Sequence, residues 1–274
     1  MDVIGMKYQK RFSYIGFVFL LAMLYVSFSP LVSVARLYWL DGKVYTQFTH
    51  ENKELSNNEQ QEYNTIVQQA KQKVAHFFGS LVSSPTILFC STEESFQNIC
   101  HQPEGAGCSL GTPFGSWIIL HKDNANADVV AHELAHIELM QQVGWWRAKT
   151  KIPTWLDEGI ALQVDNRFVR SEDSVQRYID FKQEWLFTTY GGRSSKSLDD
   201  LSTSKQFFGI SAYDTRQAYY QSGMEVAKII SIGGRESLQR LILDYTEYPL
   251  WKVIFLGYPI PSKVYSEKSF DAIP

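Results

Sequence analysis

Between Tyr14 and Ala35 the chain carries no charged residue and is rich in Phe, Leu, Val and Ile, a run of about 22 residues. A helix needs about 20 such residues to cross a bilayer. A segment apolar on every face has no stable place on the surface of a water-soluble fold. Lys7, Lys10 and Arg11 stand just before it, and this basic flank predicts an N-terminus held in the cytoplasm with the rest of the chain outside. Ser33-Val34-Ala35 has the small residues of a cleavage site, but the apolar run exceeds the ~7–15 residues of a signal core, which favours a retained anchor. The expected order is a cytoplasmic N-terminus over 1–13, a transmembrane anchor over 14–35, a juxtamembrane linker over 36–58, one folded domain over 59–245 and a tail over 246–274. The oligomeric state is left open.

The remaining chain is long enough for a substantial core. The protein has 274 residues, of which 45% are hydrophobic and 20% charged. Its formal net charge of -3 provides no field that attracts phosphates. No basic run with interleaved aromatics marks a nucleic-acid groove, so nucleic acid is excluded as a partner class.

Local patterns predict a mixture of helices and strands. Glu59 to Phe78 shows apolar residues at helical spacing, with Ile66, Ala70 and Phe77 beside Val67, Val74 and Phe78. Thr86–Cys90, opened by Pro85, and Ser116–Leu120 read as strands. Helical spacing returns from Ala127 to Val143, capped by Asn124 or Asn126 and stopped by Gly144. Pro153 and Thr154 open a helix to about Val164, and further helices fall between Ser171 and Tyr190. Gly191–Ser197 is a loop. Thr215 to Ile232 forms a strong helix that Gly233-Gly234 interrupts before Arg235 to Tyr245. Of the cysteines, Cys100 and Cys108 flank a glycine-containing loop and are the expected disulfide, while Cys90 ends an apolar strand and reads as a buried residue.

The chemistry concentrates at His132-Glu133-Leu134-Ala135-His136. Two imidazoles at i and i+4 share one helical face about a turn apart, as two ligands of a tetrahedral metal require. Val130, Leu134 and Ile137 form a separate apolar stripe by which the helix can pack. Glu133 stands beside the imidazoles, where its carboxylate can take a proton from an attacking water and pass it to a leaving amine. A third ligand is needed, and Glu158 in Trp155-Leu156-Asp157-Glu158-Gly159-Ile160-Ala161 can return a carboxylate from the next helix. Gly159, costly inside a helix by ~1 kcal/mol, would let that helix approach the histidine helix closely. Asp165 can orient a ligand imidazole or can be a surface acid. His50, His76, His101 and His121 read as structural or surface residues.

HELAH followed some twenty residues later by WLDEGIA resembles the gluzincins, the thermolysin- and aminopeptidase-like zinc peptidases grouped in the peptidase MA superfamily. The resemblance implies an α+β, thermolysin-like fold with a small mixed-sheet lobe and a mainly helical C-terminal lobe. It implies Zn2+ held by His132, His136 and Glu158, with Glu133 as catalytic acid/base and a peptide or protein as substrate. Ser116–Leu120 resembles the edge strand on which such enzymes lay an extended substrate. Ala218-Tyr219-Tyr220-Gln221-Ser222 resembles the helix that brings a tyrosine hydroxyl to the metal. Tyr219, which shares a helical face with Gly223, Val226 and Ile230, is the candidate oxyanion donor, with Tyr220 the alternative. The substrate-amine motif of the aminopeptidases is absent, so an endopeptidase is expected over an exopeptidase. A competing class is a catalytically silent peptidase-fold binding or scaffolding protein of the cell envelope, against which the intact Glu133 speaks. An intramembrane protease is disfavoured because Asp128, Glu133, Glu138, Gln141 and Gln142 make the motif helix too polar to span.

Overall fold

A computed structural model of the chain describes residues 17–18, 48–50, 56–90, 92–100, 106–113, 115–209 and 211–247. Of the uncharged N-terminal run, only Phe17 and Val18 are described, both helical. The rest of the expected anchor, the cytoplasmic N-terminus, most of the linker and nearly all of the tail lie outside the described residues. Among the described residues no helix is long and apolar enough to cross a membrane. The fold is α+β, mostly helical with a small mixed sheet. It divides into two compact units, one built around residues 85–125 and the other from residues 59–84 and 126 onward.

The first unit is a sheet of β1 (Phe48–His50), β2 (Thr86–Cys90), β3 (Gly107–Thr112) and β4 (Gly115–His121) in the order β1-β2-β4-β3. β2 runs parallel to β1 and β4, and β3 pairs antiparallel with β4 in a hairpin whose register sets Thr112 opposite Gly115 and Gly107 opposite Leu120. In the middle of the sheet, side chains on both faces are buried. Ile87, Phe89, Ile118 and Leu120 are at most 4% exposed, and so is Ile119 on the other face, which is why these strands read as near-continuous apolar runs. A helix, α2 (Glu93–Cys100), packs Phe96 and Ile99 onto Leu88, Cys90 and Ile119. Its last residue, Cys100, forms the expected disulfide with Cys108 on β3, and Cys90 is buried.

β4 is not an edge strand. It is flanked by β2 and β3, which overturns the reading of Ser116–Leu120 as an open edge; among the described residues β3 ends the sheet on that side. The segment Gly107–Thr112 lacks the alternation of a strand and is recruited by pairing with β4 and by the disulfide.

The second unit is helical. Its elements are α1 (Asn57–Phe78), α3 (Ala127–Val143), α4 (Trp145–Lys151), α5 (Thr154–Ala161), α6 (Ser174–Thr188), α7 (Ser204–Phe208) and α8 (Ala212–Glu247). α1 buries Tyr63, Val67, Ala70 and Val74, one stripe at helical spacing. α3 begins at Asn126, whose side chain accepts from Asp128 N and Val129 N, and ends at Gly144, whose N–H returns to Met140 O. From Val129 to Met140 every residue is buried except His136, which is half-buried. A helix enclosed on all faces has little room for solvent at its polar positions, so its histidines and acids must find partners.

α5 packs against α3 and α8. A Cβ on Gly159 would stand 2.6 Å from both Ser222 O and Val226 Cγ2 of α8. The glycine therefore serves the approach of α5 to α8, not to the histidine helix as its sequence position suggested. α8 is broken at Gly233 and Gly234, the latter with φ 67°. Leu139, Leu156, Ile160, Phe207, Val226 and Leu238 join α3, α5, α7 and α8 into the main core.

Candidate metal centre

α3 and α5 bring the predicted ligands together. His132 and His136, one turn apart on α3, direct their Nε2 atoms at Glu158 of α5, at 3.3 Å and 3.7 Å from Glu158 Oε2. One ligand atom from each of the three residues can be chosen so that all lie within 4.8 Å of one another. His132 and Glu158 are buried. Two imidazole nitrogens and one carboxylate form a donor set suited to Zn2+, and three protein ligands leave a fourth position of a tetrahedral ion for substrate or water.

Each imidazole has a carboxylate behind it. His136 Nδ1 lies 2.8 Å from Asp157 Oδ1, and His132 Nδ1 lies 3.2 Å from Asp165 Oδ2. A carboxylate at Nδ1 favours the tautomer with its proton there, leaving Nε2 as the free donor atom that a metal requires. Asp165, weighed from sequence as either an orienting or a surface acid, is fully buried. It accepts from Arg167 through Nε and Nη2 at 2.9 Å and 2.6 Å, and from Arg167 N at 2.9 Å. Asp157 and Arg167 were not singled out from the sequence. For Asp157 a signal existed, since it directly precedes Glu158; for Arg167 there was none.

The electrostatics favour a cation. Burial alone would discharge His132, yet Asp165, Glu158 and Glu133 outweigh it and raise the imidazole to about 10. His136 is likewise raised to about 9 against the effect of burial, by Asp157 and Glu158. Burial also opposes the charge of Asp165, but His132 and Arg167 hold its carboxyl well below the usual range. Four carboxylates act on these two rings, so the cluster holds positive charge either as protons or as a bound ion.

Glu133 is buried, and its charge is felt by His132, Tyr219 and Arg167. The ring of Tyr219 lies 6.4 Å from that of His132, between Phe168 and Phe207 at 5.2 Å each. Burial, then the charges of Glu158 and Glu133, push its hydroxyl well above the ordinary value, so it stays protonated and can donate. Tyr220 packs its ring on Phe168 as well. Of the other histidines, His76 is exposed, and His121, half-buried, lies 4.0 Å from both Glu93 and Asp123. His101 and the side chain of His50 lie outside the described residues. Among known proteins, no family model, no curated protein and no solved structure matches the chain.

Proposed function

We propose that the protein is a zinc-dependent metallopeptidase of the gluzincin kind with a thermolysin-like fold, anchored by its N-terminal segment and acting on peptides or proteins outside the cytoplasm. The observation that carries this reading is the convergence of His132 Nε2, His136 Nε2 and Glu158 Oε2, each imidazole backed by a carboxylate, with Glu133 alongside. Bound at these three residues, Zn2+ would polarise a scissile carbonyl and make water acidic enough to attack at neutral pH. Glu133 accepts the proton of the attacking water and returns it to the leaving nitrogen. Tyr219 donates its hydroxyl to the oxygen of the tetrahedral adduct. Asp157 and Asp165 hold the imidazoles in the tautomer and orientation that ligation needs. No covalent enzyme intermediate is involved. The peptide substrate is supported by the HELAH and WLDEGIA resemblance.

The test combines metal analysis with turnover on a broad peptide library. Wild type is expected to retain one zinc per chain, and His132→Ala and Glu158→Ala to lose it. Glu133→Gln is expected to keep zinc while hydrolysis falls by about 10²–10⁴-fold. Zinc content unchanged in both ligand variants would sink the site, and full activity in Glu133→Gln would sink the mechanism.

A further inference from the structure

Asp165 sits in the segment between α5 and α6, and this segment is gripped from two sides. Arg177, in the first turn of α6 and only 4% exposed, donates through Nη2 to Leu162 O at 2.6 Å and to Asp165 O at 2.8 Å. Its Nη1 donates to Ser171 O at 2.7 Å and to Asn166 Oδ1 at 3.2 Å. The guanidinium lies over the Phe181 ring, 5.6 Å from its centroid. On the other side, Asn166 N donates to Asp128 Oδ1 at 3.1 Å. Asp128 belongs to the first turn of α3, one turn before His132, and is paired with Lys73 of α1.

A guanidinium buried against carbonyl oxygens, with no carboxylate among its hydrogen-bond partners in the described residues, is a costly group to keep. Its four acceptors all lie in the stretch from 162 to 171 that carries Asp165 and Arg167. An irregular stretch of that length has much backbone freedom to lose, and an orienting carboxylate helps a metal ligand only if it is held in place. The planar fork of arginine spreads its donors over separate nitrogens and so reaches acceptors on two sides at once, whereas lysine has its three donors on a single atom.

We infer that Arg177 is a positioning residue for the metal centre: by fixing the Asp165 backbone it holds the Asp165 carboxylate against His132 Nδ1 and so sets how tightly His132, His136 and Glu158 bind a divalent ion. This inference rests on the metal-site reading above.

The experiment uses full-length protein, with zinc affinity from chelator competition and the visible absorption spectrum of the Co2+-loaded form. Arg177→Met is expected to weaken zinc binding about 10-fold or more, in the range of lost outer partners, and to change the cobalt spectrum. Arg177→Lys should fall between it and wild type. Leu241→Ala, a buried change elsewhere on α8, serves as a destabilised control and should keep wild-type affinity and spectrum at a comparable drop in melting temperature. Wild-type affinity and spectrum in folded Arg177→Met overturns the inference, as does an equal loss in Leu241→Ala. Should Arg177→Met not fold, unchanged affinity and spectrum in Arg177→Lys overturns it. Failure of the wild type itself to bind Zn2+ or Co2+ brings down the metal-site reading instead, a distinct result.

Discussion

His136 Nδ1 and Asp157 Oδ1 stand 2.8 Å apart, and Asp157 is the chain neighbour of Glu158. One turn of α5 thus supplies both a candidate ligand and the carboxylate that orients another ligand on α3. The His136 imidazolium and its hydrogen bond hold Asp157 below its ordinary pKa, although burial works the other way. Replacing Asp157 by Asn keeps the shape but removes this charge. Zinc affinity in Asp157→Asn is expected to fall about 10–100-fold, with the circular-dichroism spectrum unchanged, as chelator competition will measure.

Metal uptake should release protons. In the metal-free protein His132 and His136 are raised from 6.5 to about 10 and about 9, so both rings are protonated at neutral pH. A metal must displace these protons, so affinity rises with pH from 6 towards 9, and close to two protons leave per ion near pH 7. Calorimetry in buffers of different ionisation enthalpy counts them. In the metal-free form the sign for stability is opposite. The raised imidazoles stabilise the fold fully below pH 6.5, and that contribution is lost as pH rises through 9 and 10.

Gly159→Ala pits helix propensity against packing. Alanine favours a helix by ~1 kcal/mol, but the new methyl would meet Ser222 O and Val226 Cγ2 at 2.6 Å. The Ser222 oxygen is backbone on a long helix and cannot simply rotate away. Urea unfolding is expected to show a net loss of about 1–3 kcal/mol; a gain would mean that α5 and α8 are free to separate.

Glu138 tests a buried acidic side chain outside the metal centre. Fully buried on α3, it accepts from Val82 N at 3.2 Å, Ser83 N at 2.9 Å and Gln142 Nε2 at 2.9 Å, tying the segment after α1 to the motif helix. Glu138→Ala leaves the buried Ser83 N without its acceptor, at about 1–3 kcal/mol, and also removes the acceptor of the part-buried Val82 N. Glu138→Gln keeps an acceptor oxygen and should lose less in the same urea titration.

Removing the Cys100–Cys108 bridge should loosen the sheet unit, because it pins β3 to the end of α2. Cys100→Ser with Cys108→Ser is expected to cost about 2–4 kcal/mol. Hydrogen exchange should rise first at the backbone amides of Gly107–Thr112 while those of α3 stay protected.

What could be read from the sequence was local. The limits of α3 followed from a cap at Asn124 or Asn126, of which the structure uses Asn126, and from Gly144; the common face of His132 and His136 followed from the 3.6-residue repeat, and β2 from an apolar run bounded by Pro85. Glu158 was legible because α5 has its own start signal at Pro153. The partners that complete the site were decided by the tertiary structure. Asp157 and Asp165 reach Nδ1 atoms 21 and 33 residues earlier in the chain, and no helical or strand period encodes the path between α5 and α6 or the Arg177 contacts that fix it. The same holds for β3, whose Gly-Cys-Ser-Leu-Gly-Thr has no strand pattern and depends on β4, and for Gly159, whose neighbour is α8. Periodicity sets which side chains share a face; only packing between distant segments sets which buried polar groups meet, because each must find a partner wherever the chain places one.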